Sequence, residues 1–170
     1  IALVSTIAST CGGEEATGPV QPVPAALAKV SGDGQSGVVG QALSSPLGVK
    51  VVDGAGAGVQ GVSVAWTVTG GGGSIGSASS TTDAAGVASA TWTLGPAAGA
   101  NTVTASVTGS ATIPAVSFTA TAVAGPAAKL AVTVQPSAVV AGAAMNPAIQ
   151  VTVQDALGNT VTSSTVSITL

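Results

Sequence analysis

A segment of twenty residues occurs twice in this chain, and the interval between the copies sets the scale of what it can fold into. Residues 49–68 (VKVVDGAGAGVQGVSVAWTV) align without a gap on residues 151–170 (VTVQDALGNTVTSSTVSITL), 102 positions later. Val49/Val151, Val51/Val153, Asp53/Asp155, Gly56/Gly158, Val59/Val161 and Val64/Val166 are identical, while Trp66/Ile168 and Val68/Leu170 exchange one apolar residue for another. Solenoid repeats run to about 20–50 residues. A period near one hundred suits a string of small β domains instead. The second copy stops before it is half as long as the first, so the expectation is a piece of a longer repeat array.

Within the first copy, apolar residues alternate with period two, the signature of strands that bury one face. Val49 and Val51 share a face. Val62, Val64, Trp66 and Val68 point one way, with Ser63, Ala65, Thr67 and Thr69 opposite. Ala88, Ala90, Trp92 and Leu94 form a further inward set, as do Val103, Ala105 and Val107, and then Val116, Phe118, Ala120 and Ala122. No stretch after Cys11 carries a helical period, and residues 26–30 are too short to count as a helix. Asp53-Gly54-Ala55-Gly56 and Asp83-Ala84-Ala85-Gly86 place Asp first and Gly fourth, the preference of a type I turn. Gly70 to Gly73 reads as a flexible bend, and Gly95-Pro96 and Gly99-Ala100-Asn101 as the ends of a loop. Seven or so short strands at this spacing predict an all-β, antiparallel two-sheet sandwich. Spacing alone leaves open whether the hairpins follow one another or cross as a Greek key.

Composition narrows the function. The chain is 46% hydrophobic but only 2% aromatic, so its core must be built mainly from Val and Ala. Such residues fit a thin sandwich better than a helix bundle. With 5% of residues charged, the surface must be largely Ser, Thr, Gly, Asn and Gln, a character typical of bacterial extracellular proteins. The net charge is −3, and Lys29, Lys50 and Lys129 are the whole cationic inventory. Nucleic-acid binding needs clustered cations to displace counterions and leans on Arg for base readout. Neither is available, so nucleic acid is excluded as a partner, as is a basic patch on an anionic membrane. The chain has no His, no Tyr and a single Cys. A Ser–His–Asp triad, His-based proton transfer, and zinc sites using His or several Cys cannot be assembled within it. One Cys also excludes an internal disulfide. No catalytic residues, cofactor-binding residues, metal ligands or cofactors are expected.

The N-terminus points to the cell surface. An apolar run, Ile1 to Ala8, leads through small residues to Cys11-Gly12-Gly13. It is shorter than the roughly 20 apolar residues a membrane-spanning helix needs, and its length suits the end of a secretory signal. Apolar run, small residues, Cys, then a polar segment resembles a bacterial lipoprotein signal. That resemblance implies that Cys11 is lipidated and becomes the first mature residue, although Thr10 stands where the family usually has Gly, Ala or Ser. The alternative is an ordinary β strand or tail with an incidental Cys. A diacyl anchor would supply the two chains that stable membrane attachment requires. Residues 18–24 (GPVQPVP) hold three prolines, which make a semi-rigid extended spacer of about 3.1 Å per residue.

The motifs together reach a family. V-x-V-x-D-x-x-G-x-x-V (Val49 to Val59), V-x-V-x-W (Val62 to Trp66), a Gly-rich bend and T-D-x-x-G-x-A (Thr82 to Ala88) are followed by Leu94-Gly95 and N-x-V-x-A (Asn101 to Ala105). The combination resembles the bacterial immunoglobulin-like group 1 domains, the tandem modules of invasin- and intimin-type adhesins. The resemblance covers residues 25–123 and, as a half copy, residues 127–170. It implies an immunoglobulin-like sandwich used as a rigid extracellular spacer, with receptor binding left mainly to terminal modules outside this segment. The chain then divides into a signal-like segment (1–10), a Cys anchor and Pro-rich linker (11–24), a complete domain (25–123), a linker (124–126) and the first half of a second domain (127–170).

Few residues compete with this architecture for a role. Trp66 and Trp92 could stack on sugar rings if exposed, but both fall on apolar faces and are expected in the core. Glu14, Glu15, Asp33, Asp53, Asp83 and Asp155 are the whole acidic inventory. Asp53 and Asp83 precede turns, where Asp commonly caps its own backbone. A calcium site needs six to eight oxygens, and no D-x-D-x-D cluster supplies them. A glycosidase-like carboxylate pair is the remaining alternative. In the half copy, Leu130, Val132, Val134, then Ile149, Val151, Val153, then Val166, Ile168, Leu170 repeat the opening strands. Three functions follow. The first is a non-enzymatic, surface-anchored stalk or adhesin-like protein. The second is a filament subunit, in which Ile1 to Thr10 of one copy completes the unfinished sheet of the next. The third is an accessory carbohydrate-binding or spacer module of a larger secreted protein. Expected partners are other copies of the chain or neighbouring Ig-like repeats, and a host or surface glycan or protein through regions outside this segment. Membrane contact is expected only through the lipid anchor.

Overall fold

The alternating pattern of the first copy becomes strands. The computed structural model describes residues 22–165 together with 167 and 168, so Cys11, the apolar run before it, Val166 and Leu170 lie outside the described residues. No helix occurs among the described residues. Ten strands build a first unit: β1 (Ala26–Ser31), β2 (Gln35–Val38), β3 (Leu47–Val52), β4 (Ser63–Gly70), β5 (Ser74–Ile75), β6 (Ser79–Thr81), β7 (Val87–Ala90), β8 (Trp92–Thr93), β9 (Gly99–Val107) and β10 (Val116–Val123). Two more, β11 (Lys129–Val134) and β12 (Gln150–Gln154), form a separate ribbon.

The first unit is a two-layer sandwich. One sheet has the order β1-β3-β7, the other β2-β10-β9-β4-β6, and a short β5-β8 pair closes one margin. The β9–β10 hairpin lies beside β4, so strand order departs from sequence order, which settles the topology that spacing left open. Pairings are antiparallel except one: β2 runs parallel to β10. Between the sheets lie the predicted inward residues. Leu47, Val49 and Val51 of β3 face Val64, Trp66, Val103, Ala105 and Phe118 of the opposite sheet, all in one buried cluster. Each fully buried side chain of this size contributes about 1.5–3 kcal/mol. Trp66 and Phe118 add a ring pair, centroids 5.9 Å apart and tilted by 44°. Outward positions of the larger sheet carry hydroxyls, and Thr69 donates to Thr102 at 3.0 Å.

The ribbon β11–β12 reproduces the start of this sandwich contact by contact. Leu27 pairs with Val51 in β1–β3, and Leu130 pairs with Val153 in β11–β12. Both ladders carry a register shift near the far end of the first strand, Lys29/Ser31 in one and Val132/Val134 in the other. The burial differs. Leu27 is 8% exposed and Leu130 56%, because the described part of the second unit has no opposite sheet to cover it. Strand propensity places the ladder; burial of its face needs a second layer. Ile168, expected in a third strand of this unit, is described but lies outside any strand.

Candidate functional site at the joint between the two units

Buried polar groups are the places where a core departs from simple packing. Among the described residues three polar or charged side chains are buried: Thr82, Asn101 and Asp155. Thr82 accepts from the Val62 N–H at 2.9 Å and donates to the Val59 carbonyl at 2.7 Å, locking two loops of the sandwich. Asn101 accepts from the Gly95 N–H at 3.0 Å. Asp155 is the one charged member, 2% exposed, and it sits where the second unit meets the first.

Its geometry begins with a turn. The Gly158 N–H donates to the Asp155 carbonyl at 3.2 Å and the Asp155 N–H to the Asn159 carbonyl at 2.9 Å. Asp155 Oδ1 accepts from the Asn159 N–H at 2.8 Å. Oδ2 turns toward the first unit and accepts from the Gly125 N–H, in the connection after β10, at 2.9 Å. Asn159 completes the clamp. Its Nδ2 donates to the Pro96 carbonyl at 2.9 Å and to Asp155 Oδ2 at 3.0 Å, and its Oδ1 accepts from the Ala98 N–H at 2.8 Å. One amide thus reads a backbone donor and a backbone acceptor of the same loop, which fixes its orientation. Burial would raise the Asp155 pKa, but hydrogen bonds from Gly125 and Asn159 outweigh it and bring the carboxyl down to about 2.

The surface that receives this turn is stiff. Asn101, in β9 at the middle of the larger sheet, holds Gly95; the Gly40 N–H donates to the Gly95 carbonyl at 3.0 Å, and the Leu94 N–H to the Gln41 carbonyl at 3.0 Å. Leu157, at the tip of the turn, lies over Gly40. Shallow clefts flank the connection, one lined by Val38, Gly40, Gln41, Gly125 and Leu157, the other by Val38, Pro126, Val161 and Ser163. Such a network can hold two bodies at a fixed angle. It offers no nucleophile, proton-transfer pair or metal cage. Among the described residues no group of three or more His, Cys, Asp or Glu could hold a metal ion.

Other singled-out residues take structural posts. Asp53 accepts from the Ala55 and Ala57 N–H groups, and Asp83 from those of Ala85 and Val87, all at 2.9 Å, as turn caps. Asp33 accepts from the Thr119 N–H at 2.8 Å and pairs with Lys29, whose hydrogen bond first and that of Thr119 second hold its carboxyl below the ordinary value. Lys29 also lies over the Phe118 ring, 5.6 Å from its centroid. Trp66 and Trp92 are in the core, so neither presents a face to a sugar. Cys11, Glu14 and Glu15 lie outside the described residues. Sequence reasoning gave Asp155 no role beyond its repeat partner, and passed over Asn159. The available signal was the repeat alignment itself, where Ala57 of the first copy becomes Asn159 in the second.

Residues 40–122 match the family model of the bacterial Ig-like domain, group 1. This segment belongs to that family. The receiving loops at Gly40 and Pro96–Ala98 fall within the Ig-like domain, whereas Asp155 and Asn159 lie beyond the match. Among solved structures, FdeC, an Escherichia coli adhesin, resembles the chain with a TM-score of 0.51 at 21% identity, over 81% of this chain and 42% of that one. The D0–D1 domain of intimin gives 0.40 at 27% identity, over 54% and 45% of the two chains. Domains 4–9 of the surface-layer protein SbsC give 0.44 at 22%, over 82% and 21%. FdeC carries the likeness of fold. The chain spans less than half the length of each of these structures. No curated protein matches it.

Proposed function

We propose that this is a non-enzymatic structural protein of the bacterial cell surface, adhesin-like, whose Ig-like domain and second unit form a rigid extracellular stalk. The observation that carries the reading is the clamped joint. A module that only needed to be tethered would require no buried carboxylate and amide tying one unit to the next. The family match of residues 40–122 supports it, and FdeC, of the same fold, is itself described as an adhesin. A surface of Ser and Thr with 5% charged residues, and a chain without His or a thiol beyond Cys11, fit a scaffold better than a catalyst. In this reading Cys11 carries the lipid and residues 18–24 hold the stalk off the membrane.

Metabolic labelling with an alkyne fatty acid tests the anchor. Labelled protein in the membrane fraction is expected, and Cys11→Ala should remove the label and release the protein. An unlabelled parent protein in the medium would defeat the anchored form of the proposal. A second reading has one observation in its favour. In the first unit β3 pairs with both β1 and β7, whereas β12 pairs among the described residues with β11 alone. That edge could take a strand from another copy and build a filament. Ordered fibres of the purified chain in electron micrographs would favour it over the stalk.

A further inference from the structure

The two turns related by the repeat allow an internal comparison. The turn at Asp53 has the same bonds as the turn at Asp155: the Asp53 N–H to the Ala57 carbonyl at 2.9 Å, the Gly56 N–H to the Asp53 carbonyl at 3.1 Å, and Asp53 Oδ1 from the Ala57 N–H at 2.9 Å. The next strands also leave it alike, with Val59 bonded to Val51 and Val161 to Val153. One difference matters for docking. The fourth residue past the aspartate is Ala57 in one turn and Asn159 in the other, and of the two side chains only the amide meets the Pro96 carbonyl and the Ala98 N–H.

We infer that the end of the first unit formed by Gly40, Pro96, Ala98 and Gly125 is a docking surface for one kind of partner: a β module carrying an Asp-x-x-Gly-Asn turn. The occupant here is the turn at residues 155–159. The surface discriminates by position. Asp at the first place caps the Gly125 N–H, and Asn at the fifth occupies the Pro96–Ala98 loop. A turn of the Asp53 type, ending in Ala, has the right backbone shape but leaves both backbone groups of that loop without the amide. The residue at this place therefore selects between a fixed joint and a loose one. This goes beyond the surface role, because it would hold for the purified chain wherever the protein resides.

The surface is prepared before the turn arrives. Asn101 pins Gly95, and Gly95 pins Gly40, so little ordering remains to be done on docking. The shape of the guest is likewise independent of its fifth side chain, since the Asp53 turn forms with Ala57 in that place. Asn159→Ala thus removes the recognition while keeping the turn.

The experiment uses the whole chain with spin labels at Thr81→Cys and Val132→Cys in a Cys11→Ser background, and amide exchange at Ala98 by NMR. The parent is expected to give one narrow interunit distance and a protected Ala98 N–H. Asn159→Ala should lose both the narrow peak and the protection at Ala98, while the Asn101 and Val103 amides stay protected, which certifies the folded sandwich. Ala57→Asn should leave the distance unchanged. A narrow peak retained in Asn159→Ala, or a parent already broad, would overturn the inference.

Discussion

Two tryptophans occupy the same core, and the surroundings of their indole nitrogens differ. Trp66 Nε1 donates to Ser80 Oγ at 2.9 Å, whereas Trp92 Nε1 is buried with no partner among the described residues. A buried donor without an acceptor costs about 1–3 kcal/mol, and a made hydrogen bond contributes about 1. Replacing either indole by a phenyl ring removes similar volume from the packing. Trp66→Phe also forfeits a bond and leaves Ser80 without it, while Trp92→Phe deletes an unsatisfied group. Trp66→Phe should therefore destabilise the chain by about 1 kcal/mol more than Trp92→Phe. Urea unfolding of the two variants measures the difference, and equal losses would show that ring volume alone sets the cost.

At the level of elements, turns hold the sandwich in register, and the turn at Asp83 packs closely against its neighbours. Gly86 has φ of +79°, and a Cβ there would stand 2.7 Å from Gly58 Cα in the adjacent loop. Asp83 contributes two side-chain acceptances at the surface. Gly86→Ala combines left-handed backbone strain with a collision against main chain, so it should cost roughly 2 kcal/mol or more, against roughly 1 for Asp83→Ala. Thermal unfolding ranks the pair; the reverse order would mean that the two loops part easily. Both turns were readable in advance, because Asp and Gly at fixed places state their own local reason. The inward faces of β4, β9 and β10 were readable too, since alternation is a local pattern. β2 was not. Gln-Ser-Gly-Val has no alternation, and the strand is held by parallel backbone pairing to β10 and by the Gln35 side chain, which bonds Gly32 and Ser45. The joint was hidden for a related reason: Asp155 has the same local sequence grammar as Asp53, and what separates them is a loop some sixty residues earlier in the chain. Position within the repeat encodes the turn, whereas only the assembled surface at Pro96 and Ala98 gives Asn159 its meaning.

For the whole molecule, the joint makes the relation between units depend on a single ionised group. The Asp155 carboxyl is held at about 2 against an ordinary 3.8, by the Gly125 and Asn159 hydrogen bonds acting against burial. A lowered value means that the joined state prefers the carboxylate. Its contribution to the joint is complete above about pH 4 and is lost as the pH falls through about 2. Asp155 is the charged member of this clamp, so the joint keeps its angle from neutral down to mildly acidic conditions. The Gly125 amide, which donates to the carboxylate, should report this directly: its proton shift should titrate with a midpoint near 2. Asp33, also lowered, is bonded to Thr119 in the first unit, so the Thr119 amide reports that group separately. A Gly125 midpoint at the ordinary carboxylate value would mean that Asp155 is not clamped in solution. Asp155→Asn should remove the Gly125 titration and leave that of Thr119 in place, which would assign the acid sensitivity of the joint to one oxygen pair between the two units.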